Sequence, residues 1–302
     1  MPIPQWCADG VAKLAQRAPG SARIASDIAF ADIPATTLDA RVPTRHGPVP
    51  VTVYLPEAEP SSAGVYINLH GGGFVMRHPE QDDPLCRFIA ARAGVSVVNV
   101  DYIPAPQSRF PGPVEQAFDV ALWAAAPGRP WDGSRIAVGG QSAGGALAAG
   151  TARLALERGA PKIALQVLLY PPLDLCVPAR SKMAKGKESF LARMGPAFDA
   201  AYCPDPQDRQ DRLISPAGKA DQASIVGIAP ALVVTAGRDI LRDEAVRYAS
   251  RLGDAGALIG HIDIPSVGHG FNILGAPREI VLPVYQRIAR EASRAVGGVY
   301  LA

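Results

Sequence analysis

A chain of 302 residues can bury about 75% of its unfolded surface, as one large α/β domain or two smaller units. Its 30 Lys plus Arg against 28 Asp plus Glu give a net charge of +2 with no basic stripe, which excludes the electrostatic footprint of a nucleic-acid binder. No run approaches the roughly 18 apolar residues of a membrane span, and Met1-Pro2-Ile3-Pro4-Gln5-Trp6-Cys7 lacks the basic leader and apolar core of a secretory signal.

Residues 1 to about 40 carry a weak helix and Pro/Ala-rich connections. Strand-like runs then follow at Val49 to Leu55, Val65 to His70, Val95 to Tyr102, Arg135 to Gly139, Ile163 to Tyr170, Ala231 to Ala236 and Leu258 to Ile264. Several are nearly continuous in Val, Ile, Leu and Ala, the composition of strands covered on both faces. Between them, Asp82 to Ala93, Pro113 to Ala126, Ala143 to Arg158, Arg242 to Asp254 and Pro277 to Val296 space their apolar residues as helices do. This alternation predicts an α/β fold with a mostly parallel, doubly wound sheet flanked by helices. The short polar loop between Val49 to Leu55 and Val65 to His70 predicts an antiparallel start.

Residues 175 to about 225 break the rhythm. They hold a basic run, Arg180 to Lys187, that reads as a solvated loop, and a helix-like Glu188 to Tyr202. An insertion of that length between strands reads as functional rather than connecting. Cys7, Cys86, Cys176 and Cys203 are far apart and form no C-x-x-C pair. Neither a metal site nor a disulfide framework is expected of them, and they read as core or semi-exposed thiols of a cytoplasmic protein.

Gly140-Gln141-Ser142-Ala143-Gly144 sits between a strand-like and a helix-like run. A serine on so tight a strand-to-helix turn needs small neighbours, and its hydroxyl is pushed toward solvent at the positive end of the following helix. His70-Gly71-Gly72-Gly73-Phe74 follows directly on another strand. Its glycines would let backbone N–H groups stabilise a developing oxyanion, whereas a phosphate loop would require a Lys that is absent here.

A serine nucleophile needs a base, and the base needs an orienting group. Only His261 and His269 follow Ser142. His261 falls inside a strand-like run and reads as a packed or edge-strand residue. His269 lies in the glycine-flanked loop Ser266 to Phe271 and is the candidate base. Asp239 falls just past the strand Ala231 to Ala236, at the carboxyl edge where open α/β sheets assemble their sites. A helix-capping role for Asp239 is compatible with that position. Asp243 and Glu244 read as solvated or capping residues of the next helix.

Over roughly residues 45 to 295 the chain resembles the hormone-sensitive-lipase branch of α/β-hydrolase carboxylesterases, bacterial family IV. The resemblance rests on His70 to Phe74, Asp101-Tyr102, Gly140 to Gly145, Tyr170-Pro171-Pro172-Leu173-Asp174, Ala231 to Glu244 and His269-Gly270-Phe271. It implies Ser142 as nucleophile, His269 as base and Asp239 as its orienter. The N–H groups of Gly72, Gly73 and Ala143 would form the oxyanion hole. It implies a core of residues 41–174 and 226–302, with 1–40 and 175–225 forming a helical cap. Two positions depart from the family pattern: Gln141 and Gln107 stand where the family places carboxylates.

The expected activity is hydrolysis of short- to medium-chain acyl esters through an acyl-enzyme, with no metal or organic cofactor. The partner is a small-molecule ester, and the resemblance implies a homodimer through an edge strand and the last helix. Apolar cap residues Met183, Phe190, Leu191, Met194 and Phe198 are candidates for an acyl pocket as well as for plain packing. An amidase or deacetylase using the same triad stays open as an alternative, as does a noncatalytic small-molecule receptor.

Overall fold

The computed structural model describes residues 3–17, 24, 26–57, 59, 61, 63–182 and 190–301. Its centre is an eight-stranded sheet. In chain order the elements are α1 (Gln5–Arg17), β1 (Thr36–Val42), β2 (Val49–Leu55), β3 (Val65–Leu69), α2 (Asp83–Ala93), β4 (Ser96–Val100), α3 (Gly112–Ala125) and β5 (Ile136–Gln141). There follow α4 (Ala143–Arg158), β6 (Ile163–Leu169), α5 (Phe190–Tyr202), β7 (Ala231–Ala236), α6 (Arg242–Asp254), β8 (Leu258–Ile264) and α7 (Arg278–Val296).

Across the sheet the strands run β1-β2-β4-β3-β5-β6-β7-β8. The six from β4 to β8 in that order are parallel, and β1 and β2 are antiparallel to their neighbours. The antiparallel start is therefore present, but β2 does not pair with β3: β4 lies between them. One strand, β1, falls where the sequence suggested only helix and connections.

The alternation of each strand divides its side chains between two cores. Val65, Ile67, Val98, Val138 and Val233 face the layer holding α3, α4 and α6, while Tyr66, Val97, Ala137, Leu232 and Val234 face α2 and α7. All ten are 0–1% exposed, and burying a Val or Leu side chain contributes about 1.5–3 kcal/mol. That two-sided burial is what the unbroken apolar runs encode. Parallel strands align their carboxyl ends on one edge, so the loops after β3, β5, β6, β7 and β8 all open on the same side.

Over that edge, α1 and the C-terminal end of α5 are tied together. Arg109 donates to Ala201 O at 2.8 Å and pairs with Asp9 at 2.9 Å, and Gln5 Nε2 donates to Ala200 O. Gln107 exchanges side-chain amide hydrogen bonds with Gln16 of α1 at 2.8 and 2.9 Å. A carboxylate at position 107 could accept from Gln16 but not donate back, which accounts for the amide there.

Candidate active site

The elbow between β5 and α4 is built by close approach. A Cβ on Gly144 would lie 1.8 Å from Leu69 O, and one on Gly140 would lie 2.3 Å from the same oxygen. Only glycine lets the turn press against the end of β3. Ser142 is held there at φ 52°, ψ −122°, a conformation costing on the order of 1–3 kcal/mol for a residue with a side chain. Its N–H donates to Leu169 O at 2.9 Å, which pins the strained residue to β6.

Ser142 Oγ lies 2.9 Å from His269 Nε2, and His269 Nδ1 lies 2.7 Å from Asp239 Oδ2. The carboxylate at Nδ1 selects the tautomer with the proton on Nδ1, so Nε2 offers its lone pair to the serine hydroxyl. Asp239 Oδ1 accepts the Leu241 N–H at 3.0 Å. The three residues thus come from loops after β5, β7 and β8 to form one hydrogen-bonded chain. The Asp239 side chain is 1% exposed and that of His269 is 18% exposed, so the carboxylate is sealed while the imidazole remains reachable.

The glycine loop after β3 lies alongside. A Cβ on Gly71 would sit 3.4 Å from Ser142 Cβ. Gly73 adopts φ +61°, and a Cβ there would meet the Phe198 ring of α5 at 2.5 Å, so the loop demands glycine on two counts. Gly72 O accepts the N–H groups of Val75 and Met76. Among the described residues, no backbone acceptor takes the N–H of Gly72 or Gly73. Ala143 opens α4, where the first N–H groups of a helix have no internal partner.

Of the other sequence candidates, His261 lies in β8 with Nε2 2.8 Å from Thr235 Oγ1, while the Ser142 hydroxyl meets His269. Asp243 is solvated, with its side chain 87% exposed. Glu244 is not: its side chain is 3% exposed, it accepts the Leu173 N–H at 2.8 Å, and it pairs with Lys182 at 2.6 Å. Burial pushes its carboxyl up to about 7 although Lys182 pulls it down. Lys182 is correspondingly not part of a solvated loop, because the α6 carboxylate draws it inward. The rest of that basic run from position 183, with Met183, lies outside the described residues, as do the side chains of Phe190 and Leu191. Met194 packs half-buried against the core.

Sequence reasoning did not find the polar cluster behind Ser142, His269 and Asp239. Tyr170 sets its ring edge-on to His269, with centroids 4.8 Å apart. Its O–H donates to Gln141 Oε1 at 2.7 Å and also meets Asn272 Oδ1, three residues beyond His269. Gln141 Nε2 donates to the buried carboxylate of Asp82. An acidic residue at the start of a helix reads as a cap, yet Asp82 makes no side-chain cap to α2 and turns inward instead. Burial pushes its carboxyl up to about 7, against the lowering by the Asn68 and Gln141 donors. The departure at Gln141 was the available signal, since a neutral residue in that turn needs a different set of partners.

Among the described residues no group of three or more His, Cys, Asp or Glu could hold a metal ion, and no helix is long and apolar enough to cross a membrane. All four cysteines are free thiols, with Cys86 and Cys203 buried.

A family model described as the alpha/beta hydrolase fold matches residues 66–273. The chain is 37% identical to the ethyl acetate hydrolase of Pseudomonas putida over 254 residues, covering 82% of this chain and 79% of that protein. It is 34% identical over 248 residues to the carboxylic ester hydrolase LipN of Mycobacterium tuberculosis, covering 77% of this chain and 63% of LipN. An esterase structure from Pyrobaculum calidifontis superposes with a TM-score of 0.82 at 34% identity, covering 95% of this chain and 94% of the other. The match extends beyond shared topology to sequence along most of the chain, and by it the chain belongs to the α/β-hydrolase family, within its hormone-sensitive-lipase-like group of carboxylic ester hydrolases.

Proposed function

We propose that this chain is a serine carboxylesterase that cleaves short- to medium-chain acyl esters through an acyl-enzyme. The observation that carries the reading is the continuous chain from Ser142 Oγ through His269 to Asp239, at 2.9 and 2.7 Å. His269 Nε2 takes the proton of Ser142 as Oγ adds to the ester carbonyl, and Asp239 stabilises the imidazolium that forms. The N–H groups of Gly72, Gly73 and Ala143 stabilise the oxyanion, each contributing on the order of 3 kcal/mol in the transition state. His269 then protonates the departing alcohol. Water, activated by the same imidazole, adds to the acyl-enzyme, and collapse of that second adduct releases the acid and restores Ser142.

In this reading α1 and α5 belong to the cap, whereas residues 36–40, expected there from the sequence, lie in β1 of the sheet, and Ile28, Phe30 and Ile33 pack with α2 and α7. Phe198, buried against Gly73, limits the space above the glycine loop and favours small acyl groups. The name of the P. putida relative, ethyl acetate hydrolase, supports the same preference. The existing hydrogen bond between Ser142 and His269 speaks against an inert receptor, which has no need of a base aimed at a serine.

The test is a panel of p-nitrophenyl esters of increasing acyl length, with matched anilides, on the wild type and Ser142→Ala. The substitution is expected to remove at least about 10⁴-fold of kcat, and an organophosphonate should label Ser142 in the wild type. Near-wild-type hydrolysis by Ser142→Ala would overturn the assignment, and faster turnover of the anilides would make the enzyme an amidase.

A further inference from the structure

Asp82 is 1% exposed, and among the described residues no cation pairs with it. Its two oxygens are occupied by amide donors: Oδ2 accepts from Asn68 Nδ2 at 2.7 Å, and Oδ1 accepts from Gln141 Nε2. The far side of Gln141 fixes which way its amide points. Oε1 accepts from Asn272 Nδ2 at 2.8 Å and from the Tyr170 hydroxyl at 2.7 Å, so the NH₂ group must face Asp82. Asn272 Nδ2 also donates to Tyr285 OH at 3.1 Å, and Asn68 Nδ2 to Asn99 Oδ1 at 2.9 Å. With donors arriving on both sides, position 82 must supply two acceptors, which a carboxylate does and a carboxamide cannot.

The consequence reaches the reacting atoms through three short links. Gln141 is the residue before Ser142. Asn272 lies in the loop of His269. Tyr170 packs its ring edge against the imidazole. We propose that Asp82 is a positioning residue whose buried carboxylate, acting through the Gln141 amide, holds the Ser142 elbow and the His269 loop in mutual register. The inference rests on the assignment of Ser142 and His269 as the reacting pair.

A carboxylate moved across the hydrogen bond provides the test. In Asp82→Asn, one of two facing donors loses its acceptor. In Gln141→Glu, two carboxylates abut. In the double variant, the carboxamide introduced at position 82 donates to the carboxylate introduced at position 141 and still accepts from Asn68. That carboxylate still accepts from Asn272 and Tyr170, so every hydrogen bond is kept, and only the one between positions 82 and 141 reverses its polarity. Each variant is titrated with an organophosphonate, so that kcat is counted per competent site and separated from loss of folded protein.

Asp82→Asn is expected to lower kcat per site by about 10- to 100-fold with KM changed by less than about threefold, because the pair is displaced rather than the pocket. The double variant is expected to return to within about threefold of the wild type. Wild-type kcat per site in Asp82→Asn, even with a lowered melting temperature, would overturn the proposal and leave Asp82 a structural residue. A double variant no better than the worse single variant would also overturn it. If neither single variant folds, the double variant decides alone by the same threefold criterion. An active wild type silenced by Ser142→Ala establishes the reacting pair separately, so failure of the cycle on that background counts against Asp82 only.

Discussion

Asp239 divides its carboxylate between two tasks, one oxygen facing His269 Nδ1 at 2.7 Å and the other accepting the Leu241 N–H at 3.0 Å. The backbone contact fixes the carboxylate plane, so the imidazole is oriented by a group that is itself held. In Asp239→Asn, the retained amide oxygen can satisfy either partner but not both. If it keeps the Leu241 bond, the NH₂ faces Nδ1, favours the other tautomer and places a proton where Ser142 must deliver its own. The expected loss in kcat is about 10⁴-fold, with the fold intact. Steady-state kinetics with a circular-dichroism melt checks it, and a loss below about tenfold would remove Asp239 from the triad.

The elbow predicts a contrast between two glycines. Gly144→Ala forces a Cβ to 1.8 Å from the backbone oxygen of Leu69, with no flexible side chain to yield. Destabilisation of about 4 kcal/mol or more is expected, the range reached by severe overpacking. Gly10, inside α1, has nothing within 4 Å of its Cβ position, so Gly10→Ala should be neutral or stabilise by up to about 1 kcal/mol. Denaturant unfolding of both variants measures the pair, and equal stabilities would contradict the packing described for the turn.

Phe198 is where α5 and the glycine loop touch. Phe198→Ala opens the volume above Gly73 without altering Ser142, His269 or Asp239. The ratio of kcat/KM for octanoyl over acetyl esters should rise about tenfold, the scale of apolar-pocket discrimination. An unchanged ratio would move the acyl site away from α5.

His70 predicts a pH effect on stability. Its ring stacks on Tyr102 at 4.3 Å, Nδ1 lies 2.7 Å from Gly71 O, and Nε2 is buried without a partner among the described residues. Burial lowers its pKa to about 4, outweighing the raising effects of the Gly71 carbonyl, Asp101 and Glu80. The unfolded chain takes up a proton near pH 6.5 that the folded state refuses until about pH 4. The contribution is therefore complete above pH 6.5 and is lost as pH falls through that window, by at most about 3 kcal/mol. Urea melts at several pH values should show a shallower decline for His70→Gln than for the wild type. Parallel curves would mean that His70 does not carry the effect.

The hydrogen-bonded set Ser142, His269 and Asp239 was legible because each follows a strand, β5 and β7 as buried apolar runs and β8 as an alternating one, and because parallel strands bring such positions to one edge. β1 was not. Its Thr-Thr-Leu-Asp-Ala-Arg-Val has only Val42 buried, so an outer strand with water on both faces leaves no periodic signal. Glu244 looked like any acid in a first helical turn, and only the inward approach of Lys182 shows otherwise. Asp82, Gln141, Tyr170 and Asn272 come from four separate segments. Apart from the unusual Gln141, each is an ordinary polar residue in its own surroundings, and the network exists only where the fold superimposes them.

Strand order also governs when reactivity begins. Ser142 and His269 are 127 positions apart, and the loop carrying His269 follows β8, the outermost strand of its side of the sheet. A partly synthesised chain that has completed α4 holds a serine hydroxyl with no base beside it, and such a hydroxyl is chemically ordinary. The proposed chemistry starts only when the last strand has been laid down. In the proposed reading the topology thus acts as a timer, since the serine hydroxyl stays without its base until β8 and the loop after it are in place.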